Sequence, residues 1–274
     1  MKAWLLLVLA LPVPALACTL WGAAGDDVGG GTLISKNRDW APDHRQVFKR
    51  VIPQQGFVYA GLFAEGNNEP GIKAGVNEKG LTIVSASSNV PKKLRDAQTG
   101  THGVMRKILS EYASVAQVMA NAPALFGTAR PNYYLISDRQ ALLIVEVGLE
   151  GRFTLKESRQ GVMTHTNHYL DPALPEFIDF KAKSSSASRL SRIDDLLIQA
   201  SRPLDISAFQ AMSRDQHAGA DHSLWRTGSK TRTLASWIIR TPASGAPSLS
   251  LIVANPGEAQ VSQNVVLDAH FWSR

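Results

Sequence analysis

The stretch "LPVPALACTLWG", residues 11–22, closes an apolar run and holds the chain's single cysteine, Cys18. Lys2 supplies a positive start, Leu5 to Leu11 a short apolar core, and Ala15-Leu16-Ala17 the small residues at which signal peptidase cuts. The run is shorter than the roughly 20 residues that a permanent membrane helix needs. The expectation is therefore a signal peptide over residues 1–17 and an exported protein, periplasmic or secreted, without stable membrane insertion. Cleavage there would make Cys18 the first residue, so that a thiol and a free α-amine share one residue. A rival reading lipidates Cys18, which would cap that amine. Lipoprotein signals favour an aliphatic residue three places before the cysteine, and Ala15 suits ordinary cleavage better.

The length of the remainder, residues 18–274, allows one large domain or two small ones, and with no long linker dividing it a single domain is expected. Apolar residues make up 44% of the chain and charged ones 19%, which is ordinary for a globular protein. The formal charge of +6 is scattered, with no dense Lys/Arg block among aromatics, which argues against a nucleic-acid partner. A lone cysteine forms no internal disulfide, and at a chain start it is more readily reactive than buried.

The chemistry at such a start is specific. A free thiol has a pKa of about 8.5 and needs activation, and an α-amine has one of about 7.7 to 8.0. The amine can take the thiol's proton directly or through one water, so no histidine is required. This is the logic of an N-terminal nucleophile.

Strand patterns occupy Thr19–Ala23 and Thr32–Lys36, joined by a glycine-bearing turn at Asp26–Gly31. Further strands are expected at Val58–Phe63, Ile72–Val76, Leu81–Ala86, Asn132–Ser137, Ala141–Val147, Phe153–Lys156, Gly161–Thr166, Thr233–Arg240 and Ser248–Ala254. Hairpins turn at Asn77–Gly80 and Asp138-Arg139. Helical spacing covers Val104–Tyr112, Ser114–Ala122, Ser186–Ala200 (apolar Leu190, Ile193, Leu197 and Ile198) and a segment starting at Asp205. "SSSAS", Ser184–Ser188, reads as a surface loop entering the third helix. Strands, then helices, then strands indicate an α+β domain.

Four segments in order, "CT" at Cys18-Thr19, "SKNRDW" at Ser35–Trp40, "GVNEKGLTI" at Gly75–Ile83 and "MTHTNHYL" at Met163–Leu170, resemble the cysteine N-terminal-nucleophile hydrolases. The likeness is to the choloylglycine hydrolase and penicillin V acylase group. It is closer to the isopenicillin N acyltransferase-like branch, which "RTLASWII" at Arg232–Ile239 and "ANPGE" at Ala254–Glu258 also resemble. The resemblance implies an αββα sandwich, two antiparallel sheets between helical layers, and cleavage of a linear non-peptide C–N amide bond. It implies Cys18 as nucleophile, Asp39 as the carboxylate orienting the cysteine and its amine, and Asn167 as an oxyanion donor. His165 and His168 are expected to be structural. A metal site is not expected, since no further ligand stands at a clear spacing, and no cofactor is implied.

The sequence departs from the pattern at three places. Lys36 stands where the bile-salt branch has an arginine, which keeps the charge without the planar fork. The oxyanion asparagine expected after "NEKGL" is replaced by Ala86, Ser87 and Ser88, with Asn89 displaced; a backbone N–H near Ser87 is the substitute considered. Arg232 is the candidate for a pocket-supporting arginine, with Ser229 and Lys230 competing for the position. Trp21, Trp40 and Phe63 would suit an apolar acyl group, or equally an ordinary core. The expected partner is a small N-acyl compound, with acyl transfer as an alternative to hydrolysis and homo-oligomerisation left open. N-terminal sequencing of the exported protein is expected to begin at Cys18; a start elsewhere, or a lipid mass on that residue, contradicts this reading.

Overall fold

The computed structural model describes residues 17–66, 70–98, 100, 102–174 and 184–273. The expected signal segment therefore lies outside the described residues except for Ala17.

Among the described residues, thirteen strands build two sheets. The first holds β1 (Ala17–Ala24), β2 (Gly31–Trp40), β10 (Gly161–His165), β11 (Arg232–Pro242), β12 (Ser248–Val253) and β13 (Val261–Val266), in the order β10-β1-β2-β11-β12-β13. The second is a meander of β3 (Arg45–Val51), β4 (Tyr59–Glu65), β5 (Gly71–Asn77), β6 (Thr82–Ser87), β7 (Asn132–Ser137), β8 (Leu142–Val147) and β9 (Phe153–Ser158). All pairings are antiparallel.

Strand alternation sorts the apolar side chains into layers. Leu20, Ile34 and Trp237 of the first sheet meet Leu62, Val76, Val84 and Leu135 of the second in a shared core. Their strand neighbours Trp21, Leu33 and Ile238 point the other way, onto α5 (Ser184–Gln199) and α6 (Ile206–Ser213), where Ile193, Leu197, Phe209 and Met212 cover them. On the far side, Ile83, Ile136 and Leu143 pack against α2 (Val104–Glu111), α3 (Val115–Ala120) and α4 (Ala122–Phe126) through Ile108, Val118 and Phe126. The order of layers is helix, sheet, sheet, helix, the sandwich implied by the sequence resemblance.

Local chemistry explains the turns. Asn77 accepts from the N–H groups of Lys79 and Leu81, closing the β5–β6 hairpin, and its amide donates to the carbonyls of Leu109 and Tyr112 at the end of α2. Gly80 there takes a φ of +84°, which a side chain would strain. The asparagine of "GVNEKGLTI" thus ties a turn to a helix. Ser114 caps α3 by accepting from the Gln117 N–H.

Three expectations change. β3 and β13, each at one edge of its sheet, carry no alternating apolar signal: β13 has no buried residue, and the one buried residue of β3 is the polar Gln46. The serine run does not form a loop: α5 starts at Ser184, with Ser185 and Ser186 buried. The buried stripe of α5 runs Ser185, Arg189, Ile193, Leu197, four residues apart, whereas Ile198 is 77% exposed.

Phe209 lies 5.8 Å, centroid to centroid, from the fully buried Trp21. Phe209→Ala is expected to lower stability by about 3–5 kcal/mol in urea unfolding. Ile198→Ala is expected to change it by under about 0.5 kcal/mol.

Candidate active site around Cys18

Strand register brings the sequence motifs together. β1 pairs with β2 so that Ala17 faces Asp39 and Cys18 faces Arg38. β2 pairs with β11, setting Asp39 opposite Thr233. β10 ends at His165, paired with Leu20, so the turn that follows carries Asn167 to the start of β1. Cys18, Asp39 and Asn167 therefore converge at one end of the first sheet.

The Cys18 side chain points between the sheets and reaches a cavity of about 470 Å³, while the residue is 1% exposed. Its backbone N–H donates to Asn167 Oδ1 at 2.8 Å. Asn167 is held in turn: its Nδ2 donates to the Ser87 carbonyl at 2.9 Å and its backbone N–H to Ser186 Oγ at 2.9 Å. Arg189, on the buried stripe of α5, donates from Nη1 to the Cys18 carbonyl (2.7 Å) and Thr19 Oγ1 (2.8 Å), and from Nη2 to Asn167 Oδ1 (3.0 Å).

Alternation along β2 divides its polar residues between two environments. Lys36 and Arg38 line the cavity. Lys36 Nζ donates to the carbonyls of Lys73 (2.9 Å) and Ser85. Burial brings this lysine down to about 8. Arg38 Nη1 sits 4.0 Å from Cys18 Sγ, and its guanidinium lies 4.0 Å above the Trp40 ring. Burial opposes ionisation of the Cys18 thiol, but the charges of Lys36 and Arg38 outweigh it and hold the thiol below its ordinary value.

Asn37 and Asp39 face the helical side. Asn37 Nδ2 donates to the carbonyls of Ser213 and Leu224, joining β2 to the end of α6. Asp39 Oδ1 accepts from Thr233 Oγ1 at 2.7 Å. Its Oδ2 is buried without a hydrogen-bond donor among the described residues. Burial pushes the carboxyl up to about 6, against the pull of Arg189 and Arg226.

The two histidines of "MTHTNHYL" hold the turn in place. His165 Nε2 meets Glu146 Oε1 at 2.8 Å, and Glu146 also accepts from the N–H groups of Leu170 and Asp171. One carboxylate thus grips both ends of the segment carrying Asn167. His168 Nδ1 lies 2.8 Å from Ser186 Oγ.

Other sequence candidates lie elsewhere. Ser87 lines the cavity, but the atom it presents to Asn167 is its carbonyl. Asn89 accepts from the Tyr133 hydroxyl. Arg232 opposes Trp40 and is not among the residues lining the cavity; the arginines acting on Asp39 are Arg189, Arg226 and Arg38. Trp21 is a correction: it points to the opposite face of β1, against Phe209, and cannot reach a substrate in this cavity. Phe63 belongs to the core under α2, and Trp40 underlies Arg38. Of the two readings open for these rings, Trp21 and Phe63 follow the ordinary-core one. Arg189 escaped the sequence reading, although its signal was present: an arginine in register with Ile193 and Leu197 on an apolar helical stripe.

Comparisons with known proteins bear on the family and the fold. A family model described as acyl-coenzyme A:6-aminopenicillanic acid acyl-transferase matches residues 27–257. Two crystal structures of variants of conjugated bile acid hydrolase from Clostridium perfringens superpose with TM-scores of 0.52 and 0.53. Each is 14% identical, and the match covers 90% of this chain and 92% of the other. At that identity the likeness is one of fold, the N-terminal-nucleophile hydrolase sandwich. No curated protein matches the chain.

Because the chain has one cysteine, its ultraviolet thiolate band reports Cys18 alone. Lys36→Met removes a cation from beside the sulfur and is expected to raise the midpoint of that titration by about one pH unit. An unchanged midpoint would show that Lys36 does not act on the thiol.

Proposed function

The chain belongs to the acyl-coenzyme A:6-aminopenicillanic acid acyl-transferase family, and on that premise we propose that it is an exported amidase that hydrolyses linear N-acyl amides through an acyl-enzyme on Cys18. The fold and family already make it an amide hydrolase or acyltransferase of the N-terminal-nucleophile type. The observation that carries the finer reading is the placement of Cys18: its nitrogen rests on Asn167 while its sulfur faces the cavity between Lys36 and Arg38.

Removal of residues 1–17 converts the Cys18 N–H into an amine held at Asn167 Oδ1. It also frees the position opposite Asp39 that Ala17 occupies in the strand pair. The amine takes the thiol proton, and the sulfur attacks the acyl carbon. Asn167 Nδ2, with one N–H spent on Ser87, offers the other to the oxyanion. The ammonium, with Asp39 to stabilise it, protonates the leaving nitrogen as the C–N bond breaks. Water, losing a proton to the restored amine, then attacks the thioester and releases the acid and the thiol.

The family description favours a second reading, in which an amine replaces water as acceptor. The lipid-anchor reading fares worse, because the Cys18 sulfur is buried between two sheets rather than presented at the surface.

Incubating the processed protein with an N-acyl amide, with and without a second amine, separates the readings. Hydrolysis gives free acid in both mixtures and transfer gives the new amide; Cys18→Ala is expected to abolish either. The pH profile supplies an internal check. Below about 6 Asp39 is protonated and no longer supports an ammonium; above about 8 Lys36 loses its charge. Activity is expected to peak between these values, and Lys36→Arg to move the alkaline limb upward. A rate flat through both would contradict these roles.

A further inference from the structure

The segment "RTLASWII", Arg232–Ile239, opens β11, and its alternation breaks once. Ala235, Trp237 and Ile239 point between the sheets, while Ser236 and Ile238 point to the helical side. A two-residue period would send Thr233 between the sheets with Ala235. The pairing with β2 skips Leu234 instead, so that Thr233 stands opposite Asp39 and Ala235 opposite Arg38. This β-bulge turns Thr233 to the helical side, the face that Asp39 occupies. Bulges are frequent next to active sites, where they re-aim a side chain in this way.

Two separate segments hold the bulge. The Leu234 carbonyl accepts from the N–H of Ala254, the first residue of "ANPGE", at 2.8 Å. The Thr233 N–H donates to the Arg226 carbonyl at 2.9 Å, and the Arg226 N–H donates to Thr233 Oγ1 at 2.8 Å. An N–H only donates, so the hydroxyl accepts there and gives its own proton to Asp39 Oδ1, at 2.7 Å. The backbone of Arg226 thus sets the direction in which Thr233 donates. The charged groups acting on Asp39 are Arg189 from α5, Arg226 from the segment before β11, Lys36 and Arg38 from its own strand, and Cys18 from β1. Their pull carries little directional preference, whereas a short hydrogen bond fixes where the carboxylate lies.

Building on the amidase reading above, we infer that Thr233 is a positioning residue of the reaction: the bulge at Leu234 aims its hydroxyl at Asp39 and fixes that carboxylate for the ammonium formed at processed Cys18. Thr233 touches no substrate and acts through Asp39 alone. The role of this segment in the site therefore falls to Thr233 and the bulge beside it, not to Arg232, which does not line the cavity.

Thr233→Val exchanges the hydroxyl for a methyl, and Thr233→Ser keeps the hydroxyl. The first readout is the titration of the Asp39 carboxyl by carbon-13 NMR of aspartate-labelled processed protein, with the signal assigned by its loss in Asp39→Asn; it needs no turnover. The second is the pH profile of kcat. A hydrogen bond given to the charged form favours that form, so its loss raises the midpoint. In Thr233→Val the Asp39 titration, and with it the acid limb near about 6, is expected to move up by about one pH unit. In Thr233→Ser both are expected to stay in place. A purely structural role would lower the rate at every pH and leave the limb where it was. If Thr233→Val does not fold, Thr233→Ala removes the same donor with less bulk and reads the same shift. An Asp39 midpoint unmoved by loss of the hydroxyl, or moved as far in Thr233→Ser, overturns the inference. So does a midpoint that moves while the acid limb of an active enzyme stays fixed. The expected midpoint shift in a protein that cleaves no amide supports the hold of Thr233 on Asp39 and overturns the amidase reading instead.

Discussion

The guanidinium of Arg189 is the contact on which the site depends. One buried side chain bonds the carbonyl of Cys18, the hydroxyl of Thr19 and the amide oxygen of Asn167, so that a helix, the first strand and the turn after β10 share one fixing point. Burying an arginine is costly unless its donors are satisfied and a counter-charge is near. Burial pulls Arg189 down to about 10 while Asp39 supports its charge. It therefore stays charged at neutral pH. Removing it would leave Asp39 with one fewer cation and Asn167 Oδ1 with one fewer donor.

A second constraint is the two-residue period of β2. "KNRD" places Lys36 and Arg38 in the cavity and Asn37 and Asp39 on the helical side. The same four residues thus supply cations to the sulfur and a carboxylate for the nitrogen's surroundings, without the opposite charges quenching each other on one face. A shift of one residue in the β1–β2 register would exchange these faces.

Much of this was legible in the sequence. Alternation marked eleven of the thirteen strands among the described residues: ten of them bury apolar side chains, and β9 packs Phe153 and Leu155 partly buried against the core under α2. The edge strands β3 and β13 lacked that signal. The motif residues Cys18, Asp39 and Asn167 could be read because they lie in short ordered segments. Arg189 and Arg226 could not, because they work from a helix and a loop distant in sequence and meet Asp39 only through folding. Aromatic residues misled for a related reason: composition records that a ring is present but not which sheet face it occupies, and Trp21 lies one position from the face that matters.

The proposed chemistry stands on the nitrogen of Cys18 becoming a free amine in place. The most direct measurement compares amide hydrolysis by protein beginning at Cys18 with that of protein retaining Ala17, each with its start verified by intact mass. The account predicts activity in the first and none in the second, although both contain the same thiol and cations. Equal activity with Ala17 still attached would contradict it.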